Sequence, residues 1–387
     1  LDLRNQFSTI NIIANTIPNE LYYDTSLFIY ICHAFLSWGI LFYNYFSKKA
    51  KIVGTEYIRS ENINLIKKIG WILIIIGVAP KLYIDITKLK LFLDGSYINT
   101  YSMDLPGALV FMSKLIEYGL IILLIVYRDS KLKVNLIIII ASLLESLAFL
   151  SGNRASPVIF LITLFFIKNK VKPNFKFKSL IIYSIIGYFS LIAISTIGEI
   201  RGNPYRDSEY IFETLTSYFS FKPLIRILLE FGGTIVTVAY SIQYFPEYGN
   251  VQFGFNYLIS ILYSFPNFGY QSLIYNNISY VNNFPSNARM FLGGSYIGES
   301  YYSLNFAAPV IIFLIGIVIA IISTKINYYI ANKNWIKVIY LLPFIQSLLW
   351  WTRDYFGSSV RDIVWFAFLV FILSQMLKKS NQVNISV

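Results

Sequence analysis

This chain of 387 residues has one cysteine, Cys32, and one histidine, His33. A single cysteine excludes an internal disulfide and any cysteine-built zinc or cluster site. No D-x-D triplet occurs, and no histidine cluster. A diphosphate held through a metal ion therefore has little to bind it. Charge is scarce too: Asp, Glu, Lys and Arg make up 13% of the residues, about half the ~25% of soluble domains. With 56% apolar and 18% aromatic residues and a mean hydropathy of +0.59, a soluble globular protein is excluded.

What charge remains is lopsided, at a formal +12. In a soluble chain that balance suggests nucleic acid. Here the basic residues sit in short loops between long apolar runs, the pattern that orients membrane helices. No basic stripe with interleaved aromatics accompanies them, so no nucleic-acid partner is expected.

The apolar runs predict an all-α polytopic integral membrane protein with about 9–11 transmembrane helices. Spans are expected at 26–46, from Ile69 onward, and at 105–127, 134–151, 157–167, 179–198, 304–324, 336–351 and 359–377. The span from Ile69 meets Pro80 and is expected to continue as an amphipathic stretch, 81–93, leaning along the outer surface. Residues 223–245 and 251–265 could cross as a hairpin. That would put 246–254, with Glu247 and no basic residue, in the cytoplasm, against the charge rule. Re-entrant or membrane-surface helices at the outer face are expected instead.

The chain thus divides into an N-terminal transmembrane bundle of about six spans (1–198), an outer-face region (199–303) and C-terminal transmembrane helices (304–387). The C-terminus is expected inside. No cleavable signal peptide is expected, and nine spans require either a further preceding helix or an outer-surface segment at 1–24. The absence of an internal sequence repeat counts against a rocker transporter.

Lysine and arginine then part company. On this topology 17 of the 22 lysines lie in cytoplasmic loops, joined only by Arg59 and Arg128. The other eight arginines fall on the outer side or just inside the membrane there. Either residue can orient a helix, but only a planar fork of donors grips a phosphate or carboxylate in two places. Arginines kept where orientation does not need them are expected to hold an anion.

Six of the eight stand in four constellations. Gly152-Asn153-Arg154 is a short outer turn, whose bland reading is an arginine snorkelling to headgroups. Glu199 and Arg201 stand between glycines at 198 and 202, with Arg206-Asp207 beyond; a solvated loop with a local ion pair is the alternative. Arg289 precedes Gly293-Gly294-Ser295, Gly298-Glu299, Tyr301 and Asn305-Phe306, which run into an apolar helix. Glycines let backbone approach a ligand, helix N-termini favour anions, and a carboxylate at the membrane boundary is costly unless paired or functional. Trp350-Trp351-Thr352-Arg353-Asp354 leads to Arg361-Asp362; aromatic anchoring with two surface ion pairs is its alternative. Glu145 lies within one span; Lys114 and Glu117, three apart within another, read as a structural helix-internal ion pair, and His33 reads as a packing residue.

The third segment, Gly293 to Phe306 followed by a long apolar helix, resembles the Wzy-type polymerases of lipid-linked oligosaccharide repeat units. The polar residues at 152–154, 199–202, 353–354 and 361–362 fall where similar family members carry outer-face polar residues. The Arg-x10-Gly pattern of some members occurs here only from Arg59 to Gly70, on the cytoplasmic side. Related ligases place a histidine in their outer loop; this chain has none there, which argues for a polymerase.

The resemblance implies a GT-C-like membrane glycosyltransferase at the periplasmic face of the bacterial inner membrane. A glycan on undecaprenyl diphosphate would move as a block onto a new lipid-linked unit. No cofactor or metal is expected; membrane lipid, a chain-length regulator and a flippase are the expected partners. In such a transfer an acceptor hydroxyl attacks the anomeric carbon while lipid diphosphate departs. Fixed arginines would stabilise the charge growing on its oxygens. Arg154, Arg201 and Arg353, then Arg289 and Arg361, are the expected diphosphate ligands. Glu299 or Glu199 could take the acceptor proton. The alternative from another class is a lipid-linked oligosaccharide flippase or exporter with arginines lining its path; arginines confined to one side favour the enzyme.

Overall fold

In lipid every backbone polar group must find its partner within the segment, so an apolar chain of this kind can only be helical or a closed barrel. The computed structural model describes residues 17–47, 63–94, 100, 103, 105–151, 153, 155–172, 185, 187–189, 192–193, 195–197, 199–200, 207–219, 232, 234–248, 251–262, 264, 280–285 and 292–383. Among these the regular structure is all helix, without a strand.

In chain order the helices are α1 (Asn19–Ser47), α2 (Ile63–Asp94), α3 (Gly107–Val126), α4 (Lys131–Leu150), α5 (Ala155–Val171), α6 (Ser208–Ser217), α7 (Thr234–Tyr248), α8 (Phe255–Leu262), α9 (Tyr296–Leu304), α10 (Ala308–Ala331), α11 (Trp335–Trp351) and α12 (Phe356–Val383). Six stretches among the described residues are long and apolar enough to cross a membrane: α1, α2, α3, α4, α9 with α10, and α12. Helix α11 is apolar but shorter. The chain is a polytopic integral membrane protein.

It forms two compact units. One comprises Leu1–Arg59, Leu229–Asn332 and Pro343–Phe368; the other comprises Ser60–Leu228, Lys333–Leu342 and Leu369–Val387.

In the second unit α2 and α3 pack through glycines. A Cβ on Gly77 would lie 2.5 Å from the Ile116 amide nitrogen, and one on Gly119 would lie 2.8 Å from the Gly70 carbonyl oxygen. Such small residues give membrane helices the close approach that solvent exclusion cannot drive there.

Helix α2 corrects one expectation. It continues through Pro80 to Asp94 as one helix, and 81–93 does not lean away as a separate surface stretch. Instead Lys81 is buried, its Nζ 3.3 Å from Asp85 and 3.0 Å from Glu145 of α4. A membrane helix tolerates proline when neighbouring groups take up the freed backbone. The turn beyond Pro80 then carries its amine to a carboxylate on another helix. Glu145 is therefore one of three members of an intramembrane ion cluster.

At the end of α3, Arg128 stacks on the Trp335 ring at 4.5 Å and donates to the Ile125 carbonyl at 3.1 Å. One of the two arginines on the lysine-rich side thus has a packing reason to be arginine.

In the first unit α1 and α10 meet at reciprocal glycines. A Cβ on Gly39 would run into the Phe313 carbonyl, and one on Gly316 into the Leu36 carbonyl. Above this contact Phe28, Cys32, Phe245, Tyr280, Phe284, Tyr301 and Tyr302 form a mostly aromatic core. Helix α9 breaks from α10 at Asn305, whose φ of 49° few residues besides Gly and Asn take readily.

Helices α7 and α8 are described over 15 and 8 residues. Helix α8 is polar on its inner side: Asn256 and Ser260 are buried while Phe255, Leu258, Ile261 and Leu262 are exposed. An apolar outer face is what a lipid neighbour, rather than water, selects.

Candidate functional site

The third and fourth constellations meet in the first unit. The segment Leu292–Ser295 leads into α9, and the turn between α11 and α12 lies directly against it. A Cβ on Gly293 would stand 2.9 Å from the Arg353 carbonyl oxygen, and one on Gly294 would run into the Asp354 backbone. The glycine pair is therefore explained by a backbone-to-backbone approach that any side chain would block. Thr237 Oγ1 donates to the Gly293 carbonyl at 3.0 Å. The Tyr280 hydroxyl accepts from the Ser295 amide at 2.9 Å and donates to its carbonyl at 3.2 Å.

One turn into α9, Glu299 is 1% exposed. Its Oε2 accepts the Trp351 indole N–H at 2.7 Å and the Phe356 amide at 3.0 Å. These donors bracket the turn that carries Arg353 and Asp354. A buried carboxylate needs such compensation, and the N-terminus of α12, where Phe356 stands, favours negative charge.

The turn is held elsewhere too. The Arg353 amide donates to the Trp350 carbonyl at 2.8 Å. Asp354 accepts from the Tyr355 amide at 2.8 Å and the Ser358 hydroxyl at 2.7 Å. Tyr257 of α8 sets its ring edge-on to Trp351 and Phe356, at 6.1 and 5.2 Å, and shares a 3.0 Å hydrogen bond with Ser300. Burial, with the Glu299 carboxylate nearby, pushes the phenols of Tyr257 and Tyr280 well above their ordinary range. Both stay protonated as hydrogen-bonding hydroxyls. Further along, Ser359 Oγ donates to the Ser347 carbonyl at 3.2 Å and ties α12 to α11.

The expected site residues fall as follows. Arg353 is half-buried in the turn, and Arg361 is half-buried in α12 beside buried Asp362. Glu199 belongs to the second unit, is exposed, and accepts from the Tyr218 hydroxyl at 3.0 Å. Arg154, Arg201 and Arg289 lie outside the described residues. His33, expected as a packing residue, is exposed on α1 with Nδ1 3.4 Å from the Tyr296 hydroxyl. No group of three or more His, Cys, Asp or Glu gathers as a metal site among the described residues.

Sequence reading missed three participants: Trp351 as a donor, and Tyr257 and Tyr280 as clamps. Trp351 alone carried a signal, since a buried indole N–H needs an acceptor and Glu299 needed a donor. The two tyrosines stand among 31 in the chain with nothing local to single them out.

The arrangement holds an arginine-bearing turn on a rigid frame of backbone contacts and buried hydrogen bonds, which suits binding of an anionic group at a fixed position. Neither a curated protein nor a solved structure matches the chain. A family model described as O-antigen polysaccharide polymerase Wzy matches residues 9–381. A match over almost the whole length, on a helical membrane protein of this composition, means that the chain belongs to the O-antigen polysaccharide polymerase Wzy family and joins repeat units in surface polysaccharide biosynthesis.

Proposed function

We propose that the chain transfers the growing glycan as a block from undecaprenyl diphosphate to the next lipid-linked repeat unit, as a GT-C-like glycosyltransferase of the inner membrane with its reaction at the periplasmic face. The observation that carries this reading is the seating of the Arg353 turn against Gly293 and Gly294, within a chain matched to the polymerase family over residues 9–381. The one-sided distribution of arginine supports the periplasmic assignment, and the lysine-rich loops support an inside C-terminus.

In this reading Arg353 and Arg361, with Arg154, Arg201 and Arg289, bind lipid diphosphate and stabilise the charge that grows on it as the glycosidic bond breaks. The acceptor hydroxyl attacks the anomeric carbon and gives its proton to a carboxylate. Arginines take the part that a divalent ion plays elsewhere, so the reaction is metal-independent. A chain-length regulator and a flippase are the proposed protein partners. Residues 199–303 are the outer-face region of this scheme.

The test is a purified protein given an undecaprenyl-diphosphate-linked repeat unit, then a pulse of labelled unit. Block transfer puts the last label next to the lipid, and added chelator leaves the rate unchanged. Label at the far end of the chain would overturn block transfer, and loss of rate restored by a divalent ion would overturn metal independence.

A further inference from the structure

Glu299 is placed to hold a turn. It is 1% exposed, and the oxygen facing the turn already accepts two N–H groups, from Trp351 and Phe356. A group that takes a proton from an incoming sugar hydroxyl has to meet that hydroxyl. Its two donors come instead from either end of the segment 351–356. Gly293 and Gly294 close the opposite side by backbone contact with Arg353 and Asp354.

We propose that Glu299 is a positioning residue for Arg353: its carboxylate pins the Trp351 indole and the Phe356 amide so that the turn between them presents the guanidinium at one place. This rests on the reading of Arg353 as a diphosphate ligand. The four residues between the two pinned groups have little freedom. Releasing either end lets Arg353 drift, and a displacement of about 1 Å costs up to about a hundredfold in rate.

The substitution Glu299→Gln separates positioning from proton transfer. An amide keeps a carbonyl oxygen with two lone pairs for the same two donors but cannot serve as the base. Trp351→Phe keeps the ring and removes one donor. In a purified full chain with a lipid-linked repeat unit, Glu299→Gln is expected to keep kcat/KM within about threefold and the pH–rate profile unchanged. Glu299→Ala is expected to lose about a hundredfold, and Trp351→Phe to fall between. In an Arg353→Ala background, Glu299→Ala should cost nothing further, because its effect runs through the missing guanidinium.

Glu299→Gln as inactive as Glu299→Ala, with Arg353→Ala impaired, would overturn the positioning role alone. So would full additivity of Glu299→Ala with Arg353→Ala. Arg353→Ala turning over at the wild-type rate would overturn the reading of Arg353 and this proposal with it. If Glu299→Ala does not fold, Trp351→Phe takes its place in the cycle, with the same two outcomes.

Discussion

Glu299 accepts the indole N–H of Trp351 at 2.7 Å although 52 residues separate them. That bond joins the glycine-rich entry of α9 to the arginine-bearing turn between α11 and α12. Two segments that read as separate outer loops are one built structure, and its parts can be tested one at a time.

The tightest contact in it is Gly294 against the Asp354 backbone. Gly294→Ala is expected to push the turn away and lower polymer formation by at least about tenfold, since overpacking a filled contact forces backbone shifts. Gly187→Ala, where an added Cβ meets nothing, is the control and should make chains of normal length. Gel profiles of glycan from cells carrying each variant decide it.

At Arg353 the shape of the side chain should matter as well as its charge. Arg353→Lys retains the charge but loses the two-point grip on a phosphate. Its kcat/KM should fall between wild type and Arg353→Ala. If the lysine variant matches wild type, a point charge suffices and the fork has no part.

The buried cluster of Lys81, Asp85 and Glu145 calls for a different experiment. Lys81→Met leaves two buried carboxylates without their cation, which costs about 3–5 kcal/mol in comparable pairs. Combining it with Glu145→Gln should recover much of that loss. Thermal unfolding in detergent of the single and double variants measures the recovery, and equal melting of all three proteins would mean that the cluster contributes nothing.

Gly39 and Gly316 let α1 and α10 approach until carbonyl oxygens fill the space of a Cβ. Either glycine replaced by leucine should destabilise the first unit by about 1–3 kcal/mol or more and reduce the yield of folded protein in membranes. Normal yield and melting of both variants would show that the helices can separate without cost.

Much of the helical layout was legible in the sequence, because lipid leaves the backbone little choice but the helix. The runs at 105–127 and 336–351 became Gly107–Val126 and Trp335–Trp351. The stretch beyond Pro80 was expected to lean along the outer surface, on the local rule of the lost hydrogen bond; it continues the same helix to Asp94, with Lys81 in contact with Glu145. That Glu145 would be the partner of Lys81, 64 residues away, depended on which helices pack together. No local pattern encodes that.

At the candidate site the residue types were readable and their partners were not. Glu299 stood out as a costly carboxylate at the membrane boundary, yet the same fact fits a base and a clamp. The Trp351 donor, which comes from another helix, supports the clamp. Gly293 and Gly294 suggested close approach, but to a ligand; the close neighbour is the chain's own backbone at Arg353 and Asp354.

The most direct test of the account is elongation by purified, folded Arg353→Ala protein beside wild type, with an undecaprenyl-diphosphate-linked repeat unit as the only glycan. Wild type should give a ladder of lengthening chains, and Arg353→Ala should leave the single unit nearly unchanged. Equal ladders from the two proteins would contradict it.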